Sequence, residues 1–454
     1  MEEIRHECGL ALVRLRKPLS YYLEKYNTPL WGLDRLYVLL EKQKNRGQDG
    51  AGIACVKLDV PAGKPFIALH KLTKPLPPWS SLIEHVQNEL NEQVEKYPTL
   101  LEDVNLLKEH FAYAGELLIG HLRYATHGKN TVEYCHPVFR ANGWKTKNLI
   151  LAGNFNLTNV DFLFNKLVEL GQHPTYLSDT VTMLERMGHF LDQENEILFR
   201  KFKSQGYKKA EISPLIAAEL NLFNVLNKAA KHWDGGFTIG GMIGSGDMFF
   251  ARDPWGIRPA YYYYNEEVVL MASERQAIAT ALGIEPTKVQ ELEPAHALVI
   301  KSDNQLLIGP YAQSYKKNSC SFERIYFSRS TDPNIYQERK TLGRLLVPKV
   351  LEAINNDWEN TVFSFIPNTA QVAFWGLLEG LQEQLNLFKI KAVKEKLCST
   401  STDIEKEIER ILELKVRAEQ VIEKETTLRT FIAEPSQHIK YHCNLYNILL
   451  LFYN

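Results

Sequence analysis

The first periodic signal along the chain is GLALVRL, residues 9–15, a short apolar run of strand type. A helix is predicted over 31–44, where Leu33, Leu36, Tyr37 and Leu40 recur at the spacing of one helix face. NRGQDGAGIACVKL, residues 45–58, then reads as a glycine-rich turn feeding a strand. Residues 81–110 are charged and helix-prone, which fits an insertion on the rim of a domain. Strands are predicted at 116–126 (ELLIGHLRYAT) and 148–159 (NLILAGNFNLTN), followed by a helix over 178–192.

A dense β region follows. FTIGGMIGSGDMFFARD reads as a hairpin turning at residues 244–247, and AYYYYNEEVVLMAS as another turning near Asn265 and Glu266. Strands gathered at both ends of a segment, with helices between them, predict two stacked sheets covered by helices. A polar loop at 312–321 marks a candidate boundary. Beyond it the rhythm changes to helix (341–356), strand (361–366) and helix (370–385), an α/β alternation. Residues 402–427 are predicted as one charged amphipathic helix, and 434–454 fit no preceding pattern. No internal repeat is evident.

Composition narrows the setting more than the chemistry. With 454 residues there is room for two or three domains, and 45% hydrophobic with 24% charged residues is an ordinary globular balance. A formal net charge of −1 gives no reason to expect nucleic acid or a membrane as partner. Six cysteines, Cys8, Cys55, Cys135, Cys320, Cys398 and Cys443, show neither CxxC pairs nor zinc-ligand spacing, so neither a disulfide framework nor a metal site is expected. The N-terminus MEEIRHECGLALVRL lacks the layout of a secretory signal, and the apolar runs are too short to span a bilayer. The expected localisation is cytoplasmic.

Three constellations could carry chemistry. Cys8 stands between a short polar leader and the first strand; cut free as an N-terminal residue, it would gain an α-amine of pKa about 7.7–8.0 as its own base. Its plainer reading is a small buried hydrophobe. Arg123, at a strand end, and Asp179, behind Ser178 at a helix start, could supply a donor fork and an anion for a zwitterionic amino acid. Taken singly, Asp179 is a first-turn acid and Arg123 a structural ion pair. Asn154, placed in the turn after LILAG, could stabilise an oxyanion together with the backbone N–H of Phe155, or could simply be turn chemistry.

In order, ECGL (7–10), RGQDGAGI (46–53), GHLRYATHG (120–128), HP (136–137), GNFNLTN (153–159), SDT (178–180), ARDPWGIRP (251–259) and ASE (272–274) resemble the glutaminase domain of the amidophosphoribosyltransferase family. These are class II glutamine amidotransferases that open purine synthesis. The resemblance, over about residues 8–300, implies an α+β fold: a four-layer αββα N-terminal-nucleophile hydrolase sandwich. It implies Cys8 as nucleophile, Asn154 and the Phe155 N–H as oxyanion donors, and Arg123 and Asp179, with Tyr124, as the glutamine site. Arg46 and Gly47 are implied as support, and Arg252 and Asp253 as an internal pair beside a turn at Gly256. No cofactor is implied for this half. Where family members have His-Asn-Gly-Asn, this chain has Gly153-Asn154-Phe155-Asn156.

CSFERIYFSRSTDPNIYQERKTLGRLL (320–346) and VFSFIPNTA (362–370) resemble the start of that family's phosphoribosyltransferase domain. The two adjacent acids and the Thr/Gly-rich loop that hold phosphoribosyl diphosphate are missing from the sequence. The expected organisation is therefore a leader at 1–7, an amidotransferase domain at 8–310 and a partial α/β phosphoribosyltransferase-like domain at 320–454, cut short or shifted out of frame. Mg2+ is expected only with a complete transferase half. Expected partners are glutamine, phosphoribosyl diphosphate in a complete enzyme, and a second copy in a homo-oligomer. A hexosamine-forming synthase shares RYATHG but would continue into isomerase domains, and a peptidase would not need Arg123 with Asp179. The remaining alternative is a catalytically silent regulatory or assembly subunit keeping the fold.

Overall fold

Burial on both faces decides where the strands sit. The computed structural model describes residues 8–73, 77–124, 131–174, 176–398, 403–424 and 446–448. The leader at 1–7, the end of GHLRYATHG and most of 434–454 lie outside the described residues. The chain divides into two compact units, Met1–Glu323 and Arg324–Asn454.

The first unit runs β1 (Gly9–Leu15), α1 (Leu19–Tyr26), α2 (Trp31–Gln43), β2 (Gly50–Val56), β3 (Ile67–Leu72), α3 (Pro78–Lys96), α4 (Val104–His110) and β4 (Leu117–Arg123). It continues with β5 (Val138–Arg140), β6 (Leu149–Leu157), α5 (Val160–Glu169), α6 (Asp179–Ser204), α7 (Lys209–Glu219) and α8 (Leu222–Ala230). Last come β7 (Gly235–Ile243), β8 (Met248–Arg252), β9 (Tyr261–Tyr264), β10 (Val268–Ala272), α9 (Arg275–Leu282), β11 (Gln290–Glu291), β12 (His296–Ile300) and β13 (Leu306–Pro310). One seven-stranded sheet has the order β11-β9-β10-β1-β4-β2-β3, and a six-stranded sheet the order β13-β12-β8-β7-β6-β5.

The two-residue period of each strand sorts its side chains into layers. Leu10, Leu12, Ile119, Ile150, Ala152, Met242 and Phe250 pack together between the sheets. The alternate residues of β1, Ala11, Val13 and Leu15, pack with Leu33, Leu36 and Leu40 of α2. On the far side Leu149, Leu151 and Phe155 of β6 meet Met183 and Met187 of α6 and Leu226 of α8. The layers are helix, sheet, sheet, helix. Truncating a fully buried leucine such as Leu12 to alanine would cost about 2–5 kcal/mol.

The second unit contains α10 (Pro333–Ala353), β14 (Val362–Phe363), α11 (Gln371–Leu397), α12 (Ile404–Glu413), β15 (Arg417–Ala418), β16 (Ile422–Lys424) and β17 (Tyr446–Ile448). Helices α10 and α11 approach at glycines. A Cβ on Gly343 would lie 1.7 Å from the Ala373 carbonyl oxygen, and one on Gly376 1.8 Å from that of Lys340.

Four sequence expectations change. Asn154 and Phe155 lie inside β6, not in a turn, because β7 pairs along the whole strand, from Leu149 opposite Ile243 to Leu157 opposite Gly235. Long-range pairing overrides the local turn preference of Gly153-Asn154. Arg252 and Asp253 attract each other electrostatically but share no hydrogen bond among the described residues: Asp253 accepts from the backbone N–H groups of Trp255, Ile257 and Arg258, while Arg252 donates to the carbonyls of Gly256, Arg258 and Leu292 and pairs with Glu291. Gly256 does turn the chain, at φ +60. The single helix over 402–427 stops at Glu413, since Arg417 and Ala418 pair in parallel with Val362 and Phe363. Finally, residues 320–323 belong to the first unit, where the Cys320 N–H donates to the Ile257 carbonyl and Glu323 pairs with Arg46.

Candidate functional site

The site is built on facing strand ends. In the β1–β4 ladder Gly9 stands opposite Leu122 and Leu10 opposite His121, so one further step sets Cys8 beside Arg123. The strand period places Cys8 with Leu10 and Leu12, and Arg123 with Ile119 and His121, on the faces turned toward the second sheet. His121 follows that pattern: its Nε2 lies 3.0 Å from the Gly153 carbonyl of β6. Cys8, Arg123 and Tyr124 are all buried.

Close backbone approach holds the end of β4. A Cβ on Gly47 would lie 2.3 Å from the carbonyl carbon of Leu122 and 2.6 Å from the amide nitrogen of Arg123. One on Gly50 would lie 2.6 Å from Cys135 Sγ. Only glycine fits at 47, where the obstacle is backbone, while a side chain at 50 would have to displace the Cys135 thiol. Arg46 is fully buried and holds two glutamates, Glu274 at 2.7 Å and Glu323 through both terminal nitrogens. That arrangement ties residues 45–58 to the segments around Glu274 and Glu323, which is a structural task. The Arg123 guanidinium has Cys135 Sγ at 3.9 Å and the Tyr134 ring centroid at 6.0 Å.

On β6, Asn154 takes the parity of Ile150 and Ala152, between the sheets. It is wholly buried, and neither atom of its side-chain amide has a hydrogen-bond partner among the described residues. β5 pairs only with Leu149, Ile150 and Leu151, so among the described residues that edge of β6 has no strand neighbour beyond Leu151. Two histidines take over at Gly153. His121 donates to its carbonyl, and its N–H donates to His136 Nδ1 at 3.2 Å. The N–H of Phe155, two residues on, points to the same side.

An Nδ1 that accepts leaves the His136 proton on Nε2, which donates to Thr180 Oγ1 at 2.8 Å. The Thr180 hydroxyl and N–H in turn lie 3.4 and 2.7 Å from Asp179 Oδ1. Asp179 is half-buried at the first position of α6, and Ser178 is the cap, accepting from the Val181 N–H at 3.2 Å. The His121 and His136 rings lie 4.4 Å apart, with Phe155 at 5.1 Å from His136. Burial holds His121 down to about 3, and burial with neighbouring His121, Arg123 and Lys71 holds His136 well below the usual histidine range. Both rings are neutral at pH 7.

His121, His136 and Thr180 lie inside GHLRYATHG, HP and SDT, but the motifs gave them no role at the site. His121 is two residues from Arg123 on one strand, hence on its face, and that spacing is the signal that could have found it. Among the described residues no group of three or more His, Cys, Asp and Glu side chains is arranged to hold a metal ion. No described helix is long and apolar enough to cross a membrane.

In fold the chain resembles the glutamine phosphoribosylpyrophosphate amidotransferase of B. subtilis complexed with ADP and GMP, with a TM-score of 0.59 at 19% identity, covering 96% of this chain and 70% of that one. A chain described as the allosteric regulatory enzyme of purine biosynthesis matches equally, with TM-score 0.59, 19% identity and the same coverages of 96% and 70%. At that identity the likeness speaks to the fold alone. In sequence the chain is 28% identical over 249 residues to the amidophosphoribosyltransferase of Archaeoglobus fulgidus (54% of this chain, 46% of the relative). It is 28% identical over 278 residues to that of Escherichia coli (59% and 50%). With that of Bacillus subtilis it shares 26% over 378 residues (80% and 64%). No family model matches. The chain is amidophosphoribosyltransferase-like, and it spans about half the length of the first of these relatives.

Proposed function

We propose that the first unit is a class II glutamine amidotransferase domain of N-terminal-nucleophile hydrolase type, hydrolysing glutamine to glutamate and ammonia. The observation that carries this reading is the Asn154 amide, wholly buried with both polar atoms unpartnered among the described residues. Leaving such a group unsatisfied costs about 1–3 kcal/mol, which a fold retains where a ligand supplies the partner. An oxyanion is a partner for its N–H2.

In the proposed reaction residues 1–7 are removed, and the new α-amine of Cys8 takes the thiol proton. The thiolate attacks the side-chain amide carbon of glutamine. Asn154 and the Phe155 N–H stabilise the oxyanion, the carbon–nitrogen bond breaks, and ammonia leaves with the proton. Water then cleaves the thioester to release glutamate. Arg123 and Asp179 hold the substrate's carboxylate and ammonium, with Tyr124 beside them, and Arg46 and Gly47 keep the strand ends in place.

The ammonia is proposed to serve transfer to phosphoribosyl diphosphate in purine nucleotide synthesis, in the cytoplasm, within a homo-oligomer. The second unit is proposed to be a partial phosphoribosyltransferase-like domain. Glutamate release by the processed chain, compared with its Cys8→Ser variant, tests the reading. Turnover that survives the substitution would overturn it.

A further inference from the structure

The two residue sets of the proposed site sit on different elements: Asn154 on β6, and Asp179 at the start of α6. Nothing in the ladder of either sheet links those elements at this point, because β5 ends its pairing at Leu151. One continuous path does link them. The Gly153 N–H donates to His136 Nδ1, His136 Nε2–H donates to the Thr180 hydroxyl, and that hydroxyl faces Asp179 Oδ1. Each group in the path has one role left once the first is assigned, so the path runs in a single direction.

The path is also packed. A Cβ on Gly153 would lie 2.6 Å from the Phe155 ring, whose centroid is 5.1 Å from that of His136. His121 closes the other side of His136 and fixes the Gly153 carbonyl. Gly153 is thus held by imidazoles on both its N–H and its C=O, which belong to the two successive peptide units that flank it, on an edge where no described strand pairs. Gly153 precedes Asn154, so fixing the peptide units on both sides of Gly153 fixes the backbone from which the Asn154 amide projects.

We infer that His136 is a positioning residue that couples oxyanion stabilisation at Asn154 to ammonium recognition at Asp179, with Thr180 as the intermediate. This rests on the glutaminase reading of the site. Occupation of Asp179 by an ammonium group orients the Thr180 hydroxyl, and His136 passes that constraint to the Gly153 peptide. A purely structural histidine would support the fold without regard to which half of the site is used.

The test is steady-state glutamate release by the full processed chain with glutamine varied. His136→Ala should lower kcat roughly tenfold or more, yet lower it less than about twofold further in an Asn154→Ala background, because both changes remove the same interaction. Thr180→Val should raise KM for glutamine severalfold with kcat nearly kept, and Thr180→Ser should restore it. Independent, multiplying losses in the double variant, or a KM unmoved by Thr180→Val, would overturn the coupling. If His136→Ala does not fold, His136→Asn keeps an acceptor for the Gly153 N–H while losing Thr180. It should then raise KM and spare kcat, and a lower kcat at unchanged KM would overturn the inference. Turnover that is insensitive to Cys8→Ser would instead sink the reading beneath it, which keeps the two failures apart.

Discussion

In the first unit β1 is buried along all seven of its residues, whereas β14 and β15 of the second unit pair over two residues each. The first unit keeps large apolar side chains between layers. Both units leave some large apolar side chains more than half exposed, Leu177 and Ile197 in the first and Leu345, Leu387, Leu397 and Leu412 in the second, but the second unit's core consists of few residues, among them Phe363, Phe374 and Leu381. Its main packing is one close helix pair, supported at the surface by Lys340–Glu379 and Arg344–Glu383. Exposed pairs of that kind add little. The difference teaches that cooperative stability, and the site that needs it, reside in the first unit, while the second depends on the α10–α11 contact.

The largest expected effect is on chemistry. Cys8→Ser should lower glutamine turnover on the order of a thousandfold or more while leaving thermal unfolding unchanged, because the hydroxyl is a poorer nucleophile. Gly343→Ala should do the reverse. Its Cβ meets backbone that cannot give way, so the α10–α11 pairing should open and the second unit's unfolding transition disappear, with glutamate release kept. Loss of turnover in that variant would break the comparison.

Next comes Arg46→Ala, which removes the guanidinium paired with buried Glu274 and Glu323 and should destabilise the first unit by about 3–5 kcal/mol in a denaturant melt. For the same reason a fragment ending at Glu323 should be markedly more stable than one ending at Ile308. The shorter one also loses Tyr311, whose buried hydroxyl donates to the Arg252 carbonyl. Equal melts would move the unit boundary back. Asn154→Ala should lower turnover by roughly 100- to 1,000-fold, and a silent variant would reduce Asn154 to a strand residue.

The smallest effect is on pH. His121 is held neutral in the folded chain, down to about 3, but protonates at its ordinary value once unfolded. A lowered histidine value stabilises above the unfolded value and loses that contribution as the pH falls through it. Between about pH 7.5 and about pH 5 the first unit should lose on the order of 2 kcal/mol from this group, and His121→Gln should flatten the slope. An unchanged slope would place His121 in contact with water.

Much of the fold was legible. The strand read at residues 9–15 is β1 to the residue, because a run buried on both faces is apolar at every position but one, the buried Arg14. The start of α6 was legible in Ser178, a capping side chain. The strand read at 148–159 is β6, but the turn placed at Asn154 within it was misread because glycine and asparagine signal turns locally, while its partner β7 begins about 80 residues later and the imidazoles that satisfy Gly153 come from elsewhere in the chain. The helix over 402–427 was overextended because its Glu and Lys content favours helix, and pairing with β14 is non-local. Residue types at the site came from ordered motifs. The bonds joining them, from Gly153 through His136 to Asp179, have no local signature.

The central claim is that Cys8 is a nucleophile in a site that recognises glutamine. Intact-mass and peptide analysis of the processed chain, after incubation with the diazoketone analogue of glutamine, tests it most directly. The account predicts a single adduct on Cys8, suppressed by excess glutamine and absent from Cys8→Ser. An adduct on any other residue, or none on protein that releases glutamate, would contradict it.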